Sequence, residues 1–227
     1  MVDQTDWLKN PAFVLPAYTY AEAGRYAQTS PANVRRWFRN PSRRGAVLSP
    51  LPDAGLSYIQ LVEVRFVATM RGKDIKLDEL RRARAYVRRV LRMEHPFAHV
   101  RFKSLGINLL LESLADFEGM DGDAMVLAPG LGGQLGMRQI LERVITELDY
   151  DHEIAVRWYP RGREQPIVID PRMSFGRPTV VGTGIPTTVL YHRYHAGDSK
   201  DFLADDFRLS PEQVDAGIKF EESLKAA

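Results

Sequence analysis

The chain has 227 residues, 44% of them hydrophobic, with 31 Lys+Arg against 29 Asp+Glu and no cysteine. That length and apolar content suffice for a real core in one large or two to three small domains. The missing cysteines exclude a disulfide framework and any thiolate metal site, and no run of 18 uncharged apolar residues is present to span a membrane. The opening MVDQTDWLKNPAF has no basic segment followed by an apolar stretch, so a cytoplasmic protein is expected. The near-neutral total hides an asymmetry. Residues 1–100 carry 17 Lys+Arg and 9 Asp+Glu, whereas residues 101–227 carry 14 and 20. A basic first half favours a polyanion, and an acidic second half favours a basic protein surface or a self-neutralising contact.

In chain order, residues 1–17 read as an irregular arm anchored by Trp7, Phe13 and Leu15. Tyr18 to Ala27 reads as a short helix, with Thr19 and Glu22 spaced as a capping box and Ala23, Tyr26 and Ala27 on one face. Ser30 and Pro31 start a second short helix as N-cap and first residue, and Pro41 forbids much continuation. At 100° per residue Val34, Trp37 and Phe38 share one face of it, and Ala32, Arg35, Arg36 and Arg39 the other. An apolar back with an arginine front suits the major groove of DNA, or simply a solvated surface.

The order Tyr18-Thr19-x-x-Glu22-Ala23 followed by Ser30-Pro31-x-x-Val34-Arg35-x-Trp37 resembles the helix-turn-helix of MerR-type regulators. The resemblance implies that the Ser-Pro helix reads DNA, and Ala32, Asn33, Arg35, Arg36 and Arg39 of this helix are expected as the contacting residues. It further implies that Ser42-Arg43-Arg44-Gly45 is the tip of a wing, with Arg43 and Arg44 on backbone phosphates.

Residues 56–70 are ambiguous: β-branched content suggests a strand, while Ile59, Val62, Phe66 and Met70 recur at helical spacing. The resemblance favours the helix, ended at Gly72-Lys73. Leu77 to Met93 is the clearest helix, with Leu80, Ala83, Val87, Val90 and Leu91 as its stripe and Asp78 and Glu79 in its first turn. Arg81, Arg82, Arg84, Arg88 and Arg89 take the rest of its circumference, as a solvated face or an extension of a DNA footprint. From His99 the pattern changes to short strands at His99–Lys103, Ile107–Leu111 and Ala124–Leu127. A helix from Leu135 to Leu148 and a strand from Glu153 to Tyr159 follow. This middle section presents no catalytic constellation and reads as a scaffold or dimer surface. The stretch Pro129 to Gly136 is glycine-rich but fails the dinucleotide spacing, because Leu135 stands where a small residue is needed; a flexible loop is the better reading. His192 and His195 share a helical face without a convincing third ligand, so surface histidines are expected and no metal.

From Ile167 the chain runs strand, Asp170-Pro171, Ser174-Phe175-Gly176-Arg177-Pro178, then Val181-Gly182-Thr183-Gly184-Ile185-Pro186. A helix from Pro186 to Ala196, one after Asp198 and one after Ser210-Pro211 follow, the last with Gln213 in capping-box position. Asp198, Asp201, Asp205, Asp206, Glu212, Asp215, Glu221 and Glu222 outnumber Lys200, Arg208 and Lys219 here, and so acidic a surface repels phosphates. The order of motifs over residues 167–220 resembles the small domain associated with VapB-type antitoxins, whose partner is a toxin resembling PIN-domain ribonucleases. On that resemblance Phe175, Arg177, Asp201, Asp205 and Asp206 are expected to touch the partner.

The expected architecture is α+β: a winged helix-turn-helix over 1–96, a mixed α/β section over 97–165, and a small three-helix, helix-turn-helix-like unit over 166–227. The expected function is non-enzymatic and cofactor-free. It is that of a homodimeric type II antitoxin that binds operator DNA, represses its own operon and neutralises a PIN-like ribonuclease toxin. The alternatives are a MerR-like regulator whose middle section holds an effector, and an enzyme built on the glycine stretch or the histidine pair.

Overall fold

The computed structural model describes residues 10–39, 46–48, 55–102, 106–108, 110, 131–151 and 153–225, with only the backbone of 131–137. Trp7, the Ser42–Gly45 stretch with Arg43 and Arg44, and the expected strand Ala124–Leu127 lie outside the described residues. The fold is α+β, mostly helical with two small antiparallel sheets.

Local chemistry sets the first elements. The stretch expected to be an irregular arm holds a short helix, α1 (Pro11–Val14), because Asn10 caps it by accepting from the Ala12 N–H at 3.0 Å; Phe13 is buried as an anchor, but Leu15 is exposed. At α2 (Tyr20–Tyr26) the Thr19 N–H donates to Glu22 Oε2 at 2.8 Å, and the Glu22 N–H donates back to Thr19 Oγ1 at 3.1 Å. The expected capping box is therefore formed. After a short connection, α3 (Pro31–Phe38) starts on Ser30, whose Oγ accepts from the Asn33 N–H at 3.2 Å. The ambiguous stretch is a helix, α4 (Tyr58–Arg71), held by a reciprocal Ser57–Gln60 box. Tyr58, Ile59, Leu61, Val62, Val64, Phe66, Val67 and Met70 of α4 are all buried. A helix covered on every side has no polar face to reveal its period, which is why its pattern is mixed. The helix α5 (Leu77–Leu91) buries Leu80, Ala83, Val87 and Leu91 against it. Two residues depart from the expected stripe: Val90 is 46% exposed, and Arg84 is buried.

The expected strands His99–Lys103 and Ile107–Leu111 are not strands where the structure describes them. Residues 100–102, 106–108 and 110 are helical, and His99 alone keeps a bridge to Ile154. Tertiary packing overrides the alternating pattern: Phe102 sits edge-on to Phe66 and Phe97 at centroid distances of 5.3 and 5.0 Å. The next helix, α6 (Leu131–Thr146), begins inside the glycine-rich stretch expected to be a loop and ends before Leu148. Leu148 instead opens β1 (Leu148–Asp151), which pairs with β2 (Ile154–Trp158) around a register shift at Asp149–Tyr150.

Trp158 exchanges hydrogen bonds with Ile169 at 2.8 and 3.0 Å, tying this hairpin to the chain that forms β3 (Ile167–Val168). That strand pairs antiparallel with β4 (Thr179–Val180). Three helices close the chain: α7 (Thr187–His195), α8 (Lys200–Phe207) and α9 (Pro211–Lys225). Pro186 is the N-cap of α7 and not its first residue. The expected Ser210–Gln213 box is present at α9, at 2.9 and 3.2 Å. Buried apolar residues from Phe13 to Leu224 form one contiguous cluster.

Candidate functional site

The α2–α3 pair is built around a close approach. A methyl group on Gly24 would stand 2.7 Å from the Thr29 carbonyl oxygen and 3.1 Å from the Pro31 nitrogen. The missing side chain lets the connection fold flat against α2, where the Thr29 N–H donates to the Gly24 carbonyl at 2.8 Å. Gln28 makes the turn with φ of 58°. Val34, Trp37 and Phe38 are buried beneath α3, while Ala32, Arg35, Arg36 and Arg39 face outward and Asn33 is half-buried. Two of these arginines are held in place. Asn33 donates to Thr29 Oγ1 at 3.2 Å and accepts from Arg36 Nη2 at 2.7 Å, and Arg35 lies 5.1 Å over the Tyr20 ring. The chain returns to α3 where the N–H groups of Val47 and Leu48 both reach the Trp37 carbonyl at 3.0 Å. The structure thus gathers Ala32, Asn33, Arg35, Arg36 and Arg39 on one surface.

The Phe-Gly-Arg-Pro stretch forms a rigid hook. Asp170, 1% exposed, accepts from the Arg172 N–H at 2.9 Å, from the Arg172 guanidinium and from Arg157 Nε at 3.0 Å. Burial pushes its pKa up, but these partners outweigh that and hold the carboxyl below its ordinary range. Ser174, Phe175 and Gly176 follow with φ of 46°, 57° and 73°. Left-handed non-glycine residues cost about 1–3 kcal/mol each and persist only when the surroundings hold them. Here Ser174 Oγ donates to the Gly184 carbonyl at 2.7 Å, the Gly176 N–H to Met173 at 2.8 Å, and the Tyr18 hydroxyl to the Gly176 carbonyl at 3.0 Å. The result presents Phe175 with 90% of its surface exposed, with Arg177 exposed beside it.

Asp201, Asp205 and Asp206 are exposed on α8, a different element from the hook. Asp206 is engaged by Arg193, which also binds Asp198 at 2.6 Å. His195 Nδ1 lies 2.9 Å from the Tyr191 carbonyl and its ring stacks on Tyr191 at 4.1 Å. Among the described residues no three His, Asp or Glu side chains converge as a metal site would require, and no helix is long and apolar enough to cross a membrane.

A groove of about 560 Å³ separates α2 from α7 and α9, lined by Arg25, Tyr26, Arg177, His192, Glu221 and Lys225 among others. Glu221 accepts from the Thr187 hydroxyl. Burial pushes its carboxyl above the ordinary range in spite of that bond and of Arg25, His192 and Lys225. Burial likewise raises Tyr26.

Sequence reasoning missed the charges that join the elements. Glu63 on α4 is fully buried and binds Arg84 of α5 at 2.8 and 3.0 Å and His95 Nδ1 at 3.0 Å. Burial pushes its carboxyl up, but Arg84 and His95 together hold it below the usual range. Glu147 takes Arg65 in a fork of 2.9 and 3.1 Å and Trp158 Nε1 at 3.2 Å. A lone glutamate amid the apolar α4 run was the available signal for the first of these.

Residues 167–220 match the profile of the family described as "Protein of unknown function (DUF433)". Over 221 residues the chain is 23% identical to Putative antitoxin VapB45 of Mycobacterium tuberculosis, covering 89% of this chain and 92% of that one. It is 24% identical over 230 residues to Uncharacterized protein Rv2308 of the same organism, covering 92% of each. The crystal structure of Rv2018 from Mycobacterium tuberculosis has the same fold, at 20% identity and a TM-score of 0.72 over 91% of this chain and 99% of that one.

Proposed function

We propose that the protein is the antitoxin of a type II toxin–antitoxin pair. In this reading residues 1–96 form a winged helix-turn-helix that binds operator DNA and represses the operon. Residues 97–165 link or dimerise, and residues 166–227 help hold a PIN-like ribonuclease toxin inactive. The observation that carries the DNA half is α3, which buries Val34, Trp37 and Phe38 and turns Arg35, Arg36 and Arg39 outward. Arg43 and Arg44, between Arg39 and Val47 in the sequence, are the proposed phosphate contacts, as the tip of a wing. The partner half is supported by the similarity, over nearly its whole length, to a protein named as an antitoxin. It is also supported by the hook, because a rigid, exposed aromatic is the kind of side chain that anchors interfaces. Phe175 and Arg177 are its proposed contacts, with Asp201, Asp205 and Asp206 as an acidic surface for a basic partner. Two copies are expected, since one short helix buries too little for operator affinity and paired half-sites supply the rest.

Replacing Arg36→Ala together with Arg39→Ala should abolish operator binding in a gel-shift titration, each contact being worth about 1–3 kcal/mol, while leaving the toxin complex intact. Unchanged DNA affinity would refute the role of α3. Co-purification with the product of the adjacent gene tests the partner half. A second reading, a ligand-responsive regulator without a toxin, is favoured by the groove between α2, α7 and α9. The absence of a co-purifying partner, with operator affinity that shifts on adding a small anion, would select it.

A further inference from the structure

A second groove, of about 570 Å³, opens beside the α2–α3 connection. Arginines from separate parts of the chain line it: Arg65 on α4, Arg143 on α6, and Arg161 and Arg163 in the turn after β2. Gln28 of the connection and Thr146 at the end of α6 lie along its wall, with two carboxylates, Glu147 and Glu164, against the four guanidiniums. Two of the guanidiniums are already matched. Arg65 is forked onto Glu147. Arg163 binds Asp149 at 2.7 Å and the carbonyls of Thr146 and Leu148 at 2.7 and 3.0 Å. By covering the Thr146 carbonyl it masks part of the negative end of α6, which would otherwise repel an anion.

Arg161 is different. It is half-buried, and its hydrogen-bond and ring contacts are neutral: the Pro160 carbonyl at 3.0 Å, Ser223 Oγ at 3.4 Å and the Phe220 ring at 5.2 Å. Burial lowers its pKa and the charge of Arg65 lowers it further, against the pull of Glu147. Arg143 stands exposed on the neighbouring helix. Crowding guanidiniums around a partly desolvated groove costs free energy in the empty protein, and an anion placed between them recovers it. Planar forks approaching from two sides match the oxygens of a phosphate group.

We propose that this groove is a phosphate-binding site, in which Arg161 and Arg143 bind the anion and Arg65 and Arg163 shape the groove. The phosphate comes either from the backbone of DNA held by α3, in which case the proposal rests on the DNA reading above, or from a free phosphate group. Gel shifts over a salt series with the full chain, and thermal unfolding with inorganic phosphate against chloride at equal ionic strength, separate the two. Each is done for the native chain, for Arg143→Ala with Arg161→Ala, and for Arg161→Gln, which keeps a donor toward Pro160 and guards against loss of fold. A DNA phosphate predicts that the double variant lowers the slope of log K against log salt by about 0.9 per lost contact, with preference for operator over scrambled DNA unchanged. A free phosphate predicts saturable stabilisation of the native chain that both variants lose, with the DNA slope unchanged. If neither quantity differs between native chain and variants, the site is refuted. If the native chain binds no DNA, the α3 reading fails, and the inorganic phosphate titration alone decides the groove.

Discussion

Gly24 and Phe175 are single residues whose roles come from opposite extremes of packing. At residue 24 a methyl group has nowhere to go, because the obstacle is the backbone of Thr29 and not a flexible side chain. Gly24→Ala should therefore destabilise the protein by about 1–3 kcal/mol and weaken any DNA binding by tilting α3. Urea unfolding with an unchanged midpoint would show instead that the connection relaxes. The signal was present in the sequence as a glycine inside a helical pattern. Its reason was hidden, since the clash lies five residues on, across the turn. Phe175 was legible only through its motif. From sequence alone an apolar residue is assigned to the core, and only the run of left-handed residues places this one in solvent.

Among elements, α4 and α5 show what periodicity can and cannot reveal. The α5 stripe was read closely because its other face is charged. The α4 helix was ambiguous because it has no exposed face, and the pairing of Glu63 with Arg84, 21 residues apart, follows no local pattern. Arg84→Met should cost about 3–5 kcal/mol by leaving a buried carboxylate without its guanidinium, whereas adding Glu63→Leu should recover most of that loss. A double variant no more stable than the single one would contradict this account. The pair also fixes a pH dependence. The folded pKa of Glu63 is lowered, so its contribution is full above the ordinary glutamate range and is lost as pH falls through the lowered value. Arg84→Met should move acid unfolding, followed by circular dichroism, to higher pH. The short helical stretch after His99 has a strand-like pattern because the position of Phe102 is decided by its ring's packing on Phe97 and on Phe66 of α4, not by its neighbours' alternation.

Over the whole molecule, the capped helices α2 and α3, the striped helix α5 and the three closing helices are legible, because each rests on neighbours in sequence; α1 is not, and α4 is ambiguous. The strand expected at Glu153–Tyr159 is present as β2, but its partner β1 falls where a helix end is expected, and the buried ion pairs and the arginine groove have no sequence signature because they assemble from segments far apart. The same holds for the bond from the Tyr18 hydroxyl to the Gly176 carbonyl, which spans 158 residues. Tyr18→Phe should cost about 1 kcal/mol, measured as a lowered midpoint in urea; no change would mean that the hook is held by its own bonds alone. That bond also sets an order in time. Synthesis proceeds at about 5–20 residues per second, so on the order of 8–30 s separate the emergence of Tyr18 from that of the hook. During translation the first helices wait for a partner not yet made, and a chain interrupted before residue 176 leaves α2 without its distal anchor.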